Sequence, residues 1–186
     1  MNIEADLQQA AKKIKMVVFD VDGVLTDGHI YMGNDGELLK AFSARDGMGI
    51  TLLHKAGINT AIITGRRSEI VANRAGELKL TALWQGCSDK RQAYTELKER
   101  FSLGNEEVAY VGDDLNDLPL IIQAGLGCAV GDAVPEVKDA ASFVAKNNGG
   151  NGAVREIIEF ILKAQGKWQP LINGFIGKTM VDDLAQ

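Results

Sequence analysis

Hydrophobic and polar positions follow two patterns that alternate along this chain. Short runs of consecutive apolar residues predict buried strands near residues 15–20, 59–64, 80–84, 107–112, 127–130 and 142–145. Between these runs, apolar positions recur at helical spacing and predict helices near residues 3–13, 46–56, 67–78, 89–101, 116–124, 134–140 and 152–165. Strands that alternate with helices in this way predict an α/β fold, a doubly wound parallel sheet with helices on both faces.

One segment breaks the alternation. Two β-rich runs flank the turn sequence GNDG at 33–36 and predict a β-hairpin insertion over residues 28–42. The insertion is too short to build the core of a separate cap domain. We therefore predict a single domain over residues 1–166, followed by a C-terminal tail at 167–186. The tail has no clear period, and its sequence leaves open whether it is disordered or docks its aromatic and apolar side chains onto a surface.

Composition narrows the class of protein. The 186 residues are 46% hydrophobic and 24% charged, which is ordinary for a globular protein. A net charge of −5 argues against a nucleic-acid partner held by bulk electrostatics. No apolar run approaches the roughly 20 residues of a membrane helix, so we predict no membrane partner. Cys87 and Cys128 provide no disulfide framework, which is typical of a cytoplasmic protein.

Polar side chains stand at the carboxyl ends of four predicted strands, the edge at which open parallel sheets bind ligands. Asp20 and Asp22 end the first strand, Thr64 ends the second, Lys90 follows the third and Asp113 ends the fourth. Asp20 and Asp22 are two residues apart and leave an extended chain on the same side, where they repel each other unless a cation lies between them. Mg²⁺ prefers such oxygen ligands, so the pattern predicts a magnesium site. The alternative is a polar turn after a strand. It is less favoured because the later strands also end in polar side chains.

This order of groups resembles the haloacid dehalogenase superfamily of phosphohydrolases. The resemblance rests on DVDGVLTD at 20–27, on Thr64 in ITGR, on Lys90 and on GDDLND at 112–117. It extends from about residue 14 to residue 166 and implies a Rossmann-like core. The segment at 27–50, DGHIYMGNDGELLKAFSARDGMGI, resembles the capless, tetrameric members that act on acidic keto-sugar phosphates.

The resemblance implies a role for each matched residue. Asp20 is the expected nucleophile and forms an aspartyl phosphate, while Asp22 serves as general acid and then as general base. Thr64 and Lys90 are the expected phosphate contacts. Mg²⁺ is expected to bind the carboxylates of Asp20 and Asp113 and the backbone carbonyl of Asp22.

The implied substrate is a sugar phosphate, 3-deoxy-D-manno-octulosonate 8-phosphate, hydrolysed in lipopolysaccharide precursor synthesis; a related nine-carbon keto acid phosphate is the alternative. Planar guanidinium groups suit its carboxylate. Thr51 stands where related enzymes can carry a basic residue, which removes one contact to the sugar acid. The expected substrate-binding residues are Asp22, Ser43, Ala44, Arg45, Asp46, Gly47, Arg66, Arg74 and Lys90.

The hairpin also predicts an assembly. An isolated two-stranded hairpin is marginally stable in water, and its edges invite pairing with another chain. We predict that hairpins of several subunits pair into a shared barrel and form a homotetramer, as the resemblance also implies. A neighbour's surface, with the tail, would then replace the missing cap. The apolar side chains that support this prediction are Ile30, Tyr31, Met32, Leu38, Leu39 and Phe42.

Several alternatives stay open from the sequence. A response-regulator receiver also places Asp, Thr and Lys around Mg²⁺, but its acid pair and its phosphoryl-accepting Asp lie on different strands. A catalytically silent binding scaffold is the other class. Asp27 is either an auxiliary acid or the residue that closes its turn. Either Asp114 or Asp117 orients the metal waters or Lys90, and Asp117 is alternatively a helix N-terminal acid.

Overall fold

A six-stranded parallel sheet forms the centre of the computed structural model, which describes residues 3–177. Its strand order is β5-β4-β1-β6-β7-β8. A separate antiparallel pair, β2 with β3, forms the hairpin. The strands are β1 (Met16–Phe19), β2 (Tyr31–Gly33), β3 (Gly36–Leu39), β4 (Asn59–Thr64), β5 (Ala82–Gln85), β6 (Val108–Gly112), β7 (Leu126–Ala129) and β8 (Phe143–Val144).

Helices connect successive strands of the sheet. Two 3-10 turns, Asn105–Glu107 and Leu115–Asp117, precede β6 and α5. The helices are α1 (Ile3–Lys13), α2 (Ala44–Lys55), α3 (Glu69–Glu77), α4 (Lys90–Phe101), α5 (Leu118–Gln123), α6 (Pro135–Ala140), α7 (Ala153–Ala164) and α8 (Trp168–Phe175). The predicted α/β fold class is confirmed, and the bounds of most predicted strands and helices are shifted by one or two residues.

The central strands β1 and β6 are buried along their whole length because they lie between helices on both faces of the sheet. From β1 the chain moves to β4 and β5 on one side, and then returns to β6 on the other side. Ligands of open α/β sheets bind outside the carboxyl ends of the strands where the order reverses in this way. That position is the carboxyl end of β1 and β6.

The β2–β3 hairpin leaves the sheet and exposes apolar side chains. Met32 and Leu38 are 61% and 65% exposed. Their burial would require a surface that residues 3–177 of a single chain do not supply. The exposed large apolar side chains of the predicted hairpin segment are Ile30, Tyr31, Met32, Leu38 and Leu39.

Part of the tail forms a helix that the sequence pattern did not predict. In α8, Trp168 and Leu171 are partly buried and pack against the core. The Trp168 ring lies 5.3 Å from the cationic groups of both Arg155 and Lys163. Residues 178–186 of the predicted tail lie outside the described residues. Across residues 3–177, the helices are too short or too polar for any of them to cross a membrane.

Candidate active site

Two neighbouring strands place their terminal carboxylates side by side. Asp20 follows β1, and its N–H donates to the Val111 carbonyl of β6 (3.0 Å), so the end of β1 is fixed against the strand that Asp113 follows. Gly23 turns the chain back with a φ of +87°, and a Cβ there would lie 2.0 Å from Asp113 Oδ2. Only glycine fits both the left-handed backbone and this close approach.

Three carboxylates cluster at this edge of the sheet, and two of them pair with one lysine. Single oxygen atoms of Asp20, Asp113 and Asp117 lie within 4.8 Å of one another. Lys90, the first residue of α4, places its Nζ 2.9 Å from Asp20 Oδ2 and 2.6 Å from Asp117 Oδ1. Burial opposes the charge of Lys90, but Asp20 and Asp117 more than offset this effect and raise its pKa. Lys90 is therefore a permanent cation beside Asp20.

Asp117 uses both carboxylate oxygens within the protein. Its Oδ1 accepts from the Tyr110 hydroxyl (2.6 Å) and from Lys90, and its Oδ2 accepts the Asp113 N–H (3.0 Å). This fully buried carboxylate holds Lys90 and the loop after β6 in place. Asp114 is exposed and caps the next turn through Leu115 N–H (2.7 Å). Of the two residues left open by the sequence, Asp117 is thus the one that orients Lys90.

Two buried carboxylate oxygens at the centre of the site have no hydrogen-bond partner within residues 3–177: Asp20 Oδ1 and Asp113 Oδ1. Burial raises the pKa of Asp20 to about 6, against the lowering effect of Lys90. Burial, and then repulsion by Asp117 and Asp20, raises the pKa of Asp113 to about 8. Buried carboxylate oxygens that lack a hydrogen-bond partner and resist ionisation are suited to binding a cation. The donor set consists of hard oxygens and fits Mg²⁺.

The carboxylate of Asp22 points to a different cation. Its Oδ1 forms an ion pair with Lys40, and its Oδ2 lies 3.7 Å from Arg66 Nε. Lys40 also pairs with Glu37 (2.9 Å) and its side chain is 1% exposed. Sequence reasoning missed Lys40 and Glu37, because in the one-dimensional pattern they read as ordinary polar positions of the hairpin.

The loop after β1 is shaped by short-range hydrogen bonds. Thr26 Oγ1 accepts the N–H groups of Gly23 (3.3 Å) and Gly28 (3.2 Å). Asp27 accepts the His29 N–H (3.1 Å) and so closes its turn. The structure therefore favours the prediction that Asp27 closes its turn.

Thr64, at the end of β4, is buried, and its carbonyl accepts the Cys87 N–H (3.0 Å).

The predicted substrate segment 43–47 begins α2. Ser43 is the N-cap and accepts the Asp46 N–H (3.3 Å), whereas Ala44 and Arg45 are exposed. Asp46 is 1% exposed, and its two oxygens accept backbone N–H groups at the start of α7, from residue 155 (2.8 Å) and residue 152 (3.2 Å). Asp46 therefore joins α2 to the start of α7, and its carboxylate is buried away from solvent. Gly47 is buried as well.

Arg66 and Arg74, two of the predicted guanidinium contacts, differ in how far their side chains are exposed. The Arg66 side chain is 50% exposed. Arg74 is only 20% exposed, pairs with Glu77 (2.7 Å), and lies 5.6 Å from the Phe42 ring. A Cβ on Gly47 would lie 2.7 Å from Arg74 Nη2, so α2 and α3 pack closely around this guanidinium. Arg74 Nε is buried without a hydrogen-bond partner in the described part of the chain.

The glycine-rich loop at 147–152 packs against the loop that follows Asp20. Gly150 N–H donates to the Val24 carbonyl (2.9 Å), and Gly149 N–H donates to Asp132 (2.9 Å). A Cβ on Gly149 would lie 1.6 Å from the Gly23 carbonyl oxygen. The chain then enters α7 at residue 153, within one residue of the start of the helix predicted near 152–165.

Comparison with known proteins agrees with this geometry. A family model described as haloacid dehalogenase-like hydrolase matches residues 82–157. The chain is 48% identical over 165 residues to 3-deoxy-D-manno-octulosonate 8-phosphate phosphatase of Escherichia coli (strain K12), covering 89% of this chain and 88% of that protein. It is 51% identical over 162 residues to the enzyme of the same name from Yersinia pestis, with 87% of each chain covered.

A solved structure gives the same result for the fold. The 3-deoxy-D-manno-octulosonate 8-phosphate phosphatase of Moraxella catarrhalis, in complex with a magnesium ion, a phosphate ion and a KDO molecule, matches with a TM-score of 0.89 at 40% identity. The match covers 91% of this chain and 98% of that one. The chain therefore belongs to the haloacid dehalogenase-like hydrolases and, within them, to the family of the 3-deoxy-D-manno-octulosonate 8-phosphate phosphatases.

Proposed function

We propose that this chain hydrolyses 3-deoxy-D-manno-octulosonate 8-phosphate to the free keto-sugar acid and phosphate, with Mg²⁺ as cofactor. The single observation that carries the chemistry is the pair of unpartnered, buried oxygens of Asp20 and Asp113 beside a fixed Lys90. The names of the relatives, at 48–51% identity, support the substrate.

Asp20 is the nucleophile of the proposed reaction. A carboxylate oxygen of Asp20 attacks phosphorus while the bond from phosphorus to the sugar oxygen breaks. Asp22 donates a proton to the departing alkoxide. Water then attacks the aspartyl phosphate, gives its proton to Asp22, and releases phosphate, which restores both carboxyl groups.

Positive charge balances the anions that meet in this site. The carboxylates of Asp20 and Asp113, with the backbone carbonyl of Asp22, would hold Mg²⁺, which shields the anionic nucleophile from the anionic phosphate. Lys90 and Thr64 contact the phosphoryl oxygens. Because Lys90 is held between two carboxylates, it supplies this charge at a fixed place.

Recognition of the sugar acid is assigned to the guanidinium groups. Arg66 is half-exposed next to Asp22, so its planar group is free to bind the substrate carboxylate in a bidentate manner. Arg74 and Ala44 line one pocket together with Lys40 at the base of the hairpin, and Arg45 follows Ala44 as an exposed residue. Ser43, Asp46 and Gly47 shape this wall through the packing of α2.

We also propose a homotetramer in the cytoplasm that contributes to lipopolysaccharide precursor synthesis. Residues 1–166 form its single domain, and α8, which follows Gly166, packs against this domain through Trp168 and Leu171. The exposed apolar hairpin supports the assembly, since pairing of hairpins would bury Met32 and Leu38.

Phosphate release from a panel of esters tests the function. Purified protein with Mg²⁺ is given 3-deoxy-D-manno-octulosonate 8-phosphate, the nine-carbon keto acid phosphate, glucose 6-phosphate and 4-nitrophenyl phosphate. We expect the highest kcat/KM for the eight-carbon keto acid, and loss of turnover after chelation. A higher kcat/KM for the nine-carbon ester would make that ester the assigned substrate. If no ester were hydrolysed, the proposal would be refuted.

A further inference from the structure

A continuous chain of polar contacts runs from the edge of the sheet to Asp22 by way of the hairpin. Gln85, at the end of β5, accepts the Ser68 N–H (2.8 Å), and the Ser68 hydroxyl donates to Glu37 Oε2. Glu37 Oε1 accepts from Lys40 (2.9 Å), and Lys40 pairs with Asp22 Oδ1. The mechanism above uses only the last member of this chain.

We propose that Lys40 and Glu37 are positioning residues that aim the Asp22 carboxyl at the leaving oxygen. The inference rests on the proposed function, since it needs a proton donor at Asp22. A general acid must lie within about 2.6–3.2 Å of the atom that it protonates, and a free carboxyl on a loop rotates away from that position. Lys40 holds Oδ1, whereas Oδ2 is 3.7 Å from Arg66, beyond hydrogen-bond distance, and remains available for the proton.

The burial of Lys40, Glu37 and Asp22 supports a role for the first two in orienting the third. Lys40 is 1% exposed, Glu37 is 16% exposed and Asp22 is 20% exposed. The ammonium group of Lys40 is thus buried against the carboxylates of Asp22 and Glu37, which hold it in place.

Glu37 fixes the ammonium group from the opposite side. It is itself held by Ser68, which caps α3 by accepting the Val71 N–H (3.2 Å). The base of the hairpin is therefore anchored to the core, although its tip is exposed. Without Glu37, Lys40 would keep Asp22 as its one ion-pair partner. Any displacement of Lys40 would then also displace the Asp22 carboxyl.

Leaving groups of different basicity test the proposal. Phenolate is a poor leaving group that needs protonation, whereas 4-nitrophenolate departs without an acid. The variants are Lys40→Met, Lys40→Arg, Glu37→Gln and the pair Lys40→Met with Glu37→Gln. Lys12→Met, an exposed lysine of α1, is the matched control. The value kcat/KM is measured because it reports the phosphoryl-transfer step before the aspartyl phosphate is hydrolysed.

We expect Lys40→Met to lower kcat/KM at least about tenfold for phenyl phosphate and for the sugar acid phosphate, but less than about threefold for 4-nitrophenyl phosphate. Lys40→Arg should recover most of the loss, because it keeps a cation within reach of both acids. Glu37→Gln should give a smaller loss with the same leaving-group dependence. Lys12→Met should match the wild type on all three esters.

Two controls keep this test decisive. Lys40→Met leaves two carboxylates facing each other, so the double variant, which removes that repulsion, carries the same test if the single variant does not fold. Light scattering on each variant separates a catalytic effect from altered assembly. Equal losses on phenyl and 4-nitrophenyl phosphate, or no loss on either, would overturn the inference while the active wild type upholds the proposed function. A wild type inactive on all esters would overturn both.

Discussion

Replacement of Asp113 by Asn should stabilise the metal-free protein at alkaline pH. The pKa of Asp113 is raised to about 8 by burial and by the neighbouring carboxylates, whereas its ordinary value is 3.8. The folded chain therefore binds an extra proton between these two values, and the free energy of unfolding falls as the pH rises through this window. Asparagine does not ionise, so the variant escapes this loss.

The size of the effect follows from the pKa. Each unit of elevation corresponds to about 1.4 kcal/mol against the ionised form. Asp113 is partly open to solvent, so we count roughly a third of the full interval and expect about 2 kcal/mol at about pH 8. For a chain of this length, about 2–4 °C in Tm corresponds to each kcal/mol. At about pH 8, the Tm of the variant should thus be about 4–8 °C above that of the wild type. At about pH 4, the two proteins should have the same Tm.

Thermal melts in a chelator, repeated with excess Mg²⁺, provide the assay. Mg²⁺ should stabilise the wild type most at about pH 8 and should have little effect on Asp113→Asn, which lacks one ligand charge. Asp114→Asn is the matched control, because Asp114 is exposed and asparagine can keep its cap to Leu115. A variant less stable than the wild type at about pH 8 in chelator, or one that Mg²⁺ stabilises equally, would refute the reasoning.

The other predictions concern turnover, specificity and assembly. Asp20→Asn should abolish phosphate release with an unchanged circular dichroism spectrum, and near-normal turnover would exclude covalent catalysis at this residue. Arg66→Ala and Arg74→Ala should each lower kcat/KM for the keto-acid phosphate at least about tenfold more than for 4-nitrophenyl phosphate, since only the former has a carboxylate; equal losses on both esters would assign these arginines to the phosphate or the fold. Light scattering should give a tetramer for the wild type and smaller species for the Met32→Lys and Leu38→Lys double variant, and a fully active wild-type monomer would exclude a shared site.

The elements of the sheet were predictable from the sequence because each strand is a short apolar run closed by a polar residue. The β1 strand and its Asp20, and the β6 strand and its Asp113, illustrate this well: their buried positions and their terminal carboxylates both appear in the one-dimensional pattern. Helix α8 was not predicted, since its eight residues hold a proline and a glycine and none of its side chains is fully buried.

The polar contacts between distant segments could not be predicted. Lys40 and Glu37 reach the site because the hairpin folds back onto α3, and Asp46 is occupied because α7 begins beside it. In each case the partner lies far along the chain, and residue type gives no indication of it. Asp46 therefore remained a predicted substrate contact from the sequence, although the structure shows it engaged by backbone N–H groups.

The contacts around the loop that follows Asp20 have a consequence for the order in which the protein is made. Asp20 leaves the ribosome early, but the glycines that support its loop are 149 and 150, and Gln165 donates to the carbonyls of Ala11 (3.1 Å) and Ile14 (2.8 Å). A nascent chain holds Asp20 long before it holds these partners. The surroundings of Asp20 are thus among the last parts of the molecule to be completed, so partial translation products lack this arrangement.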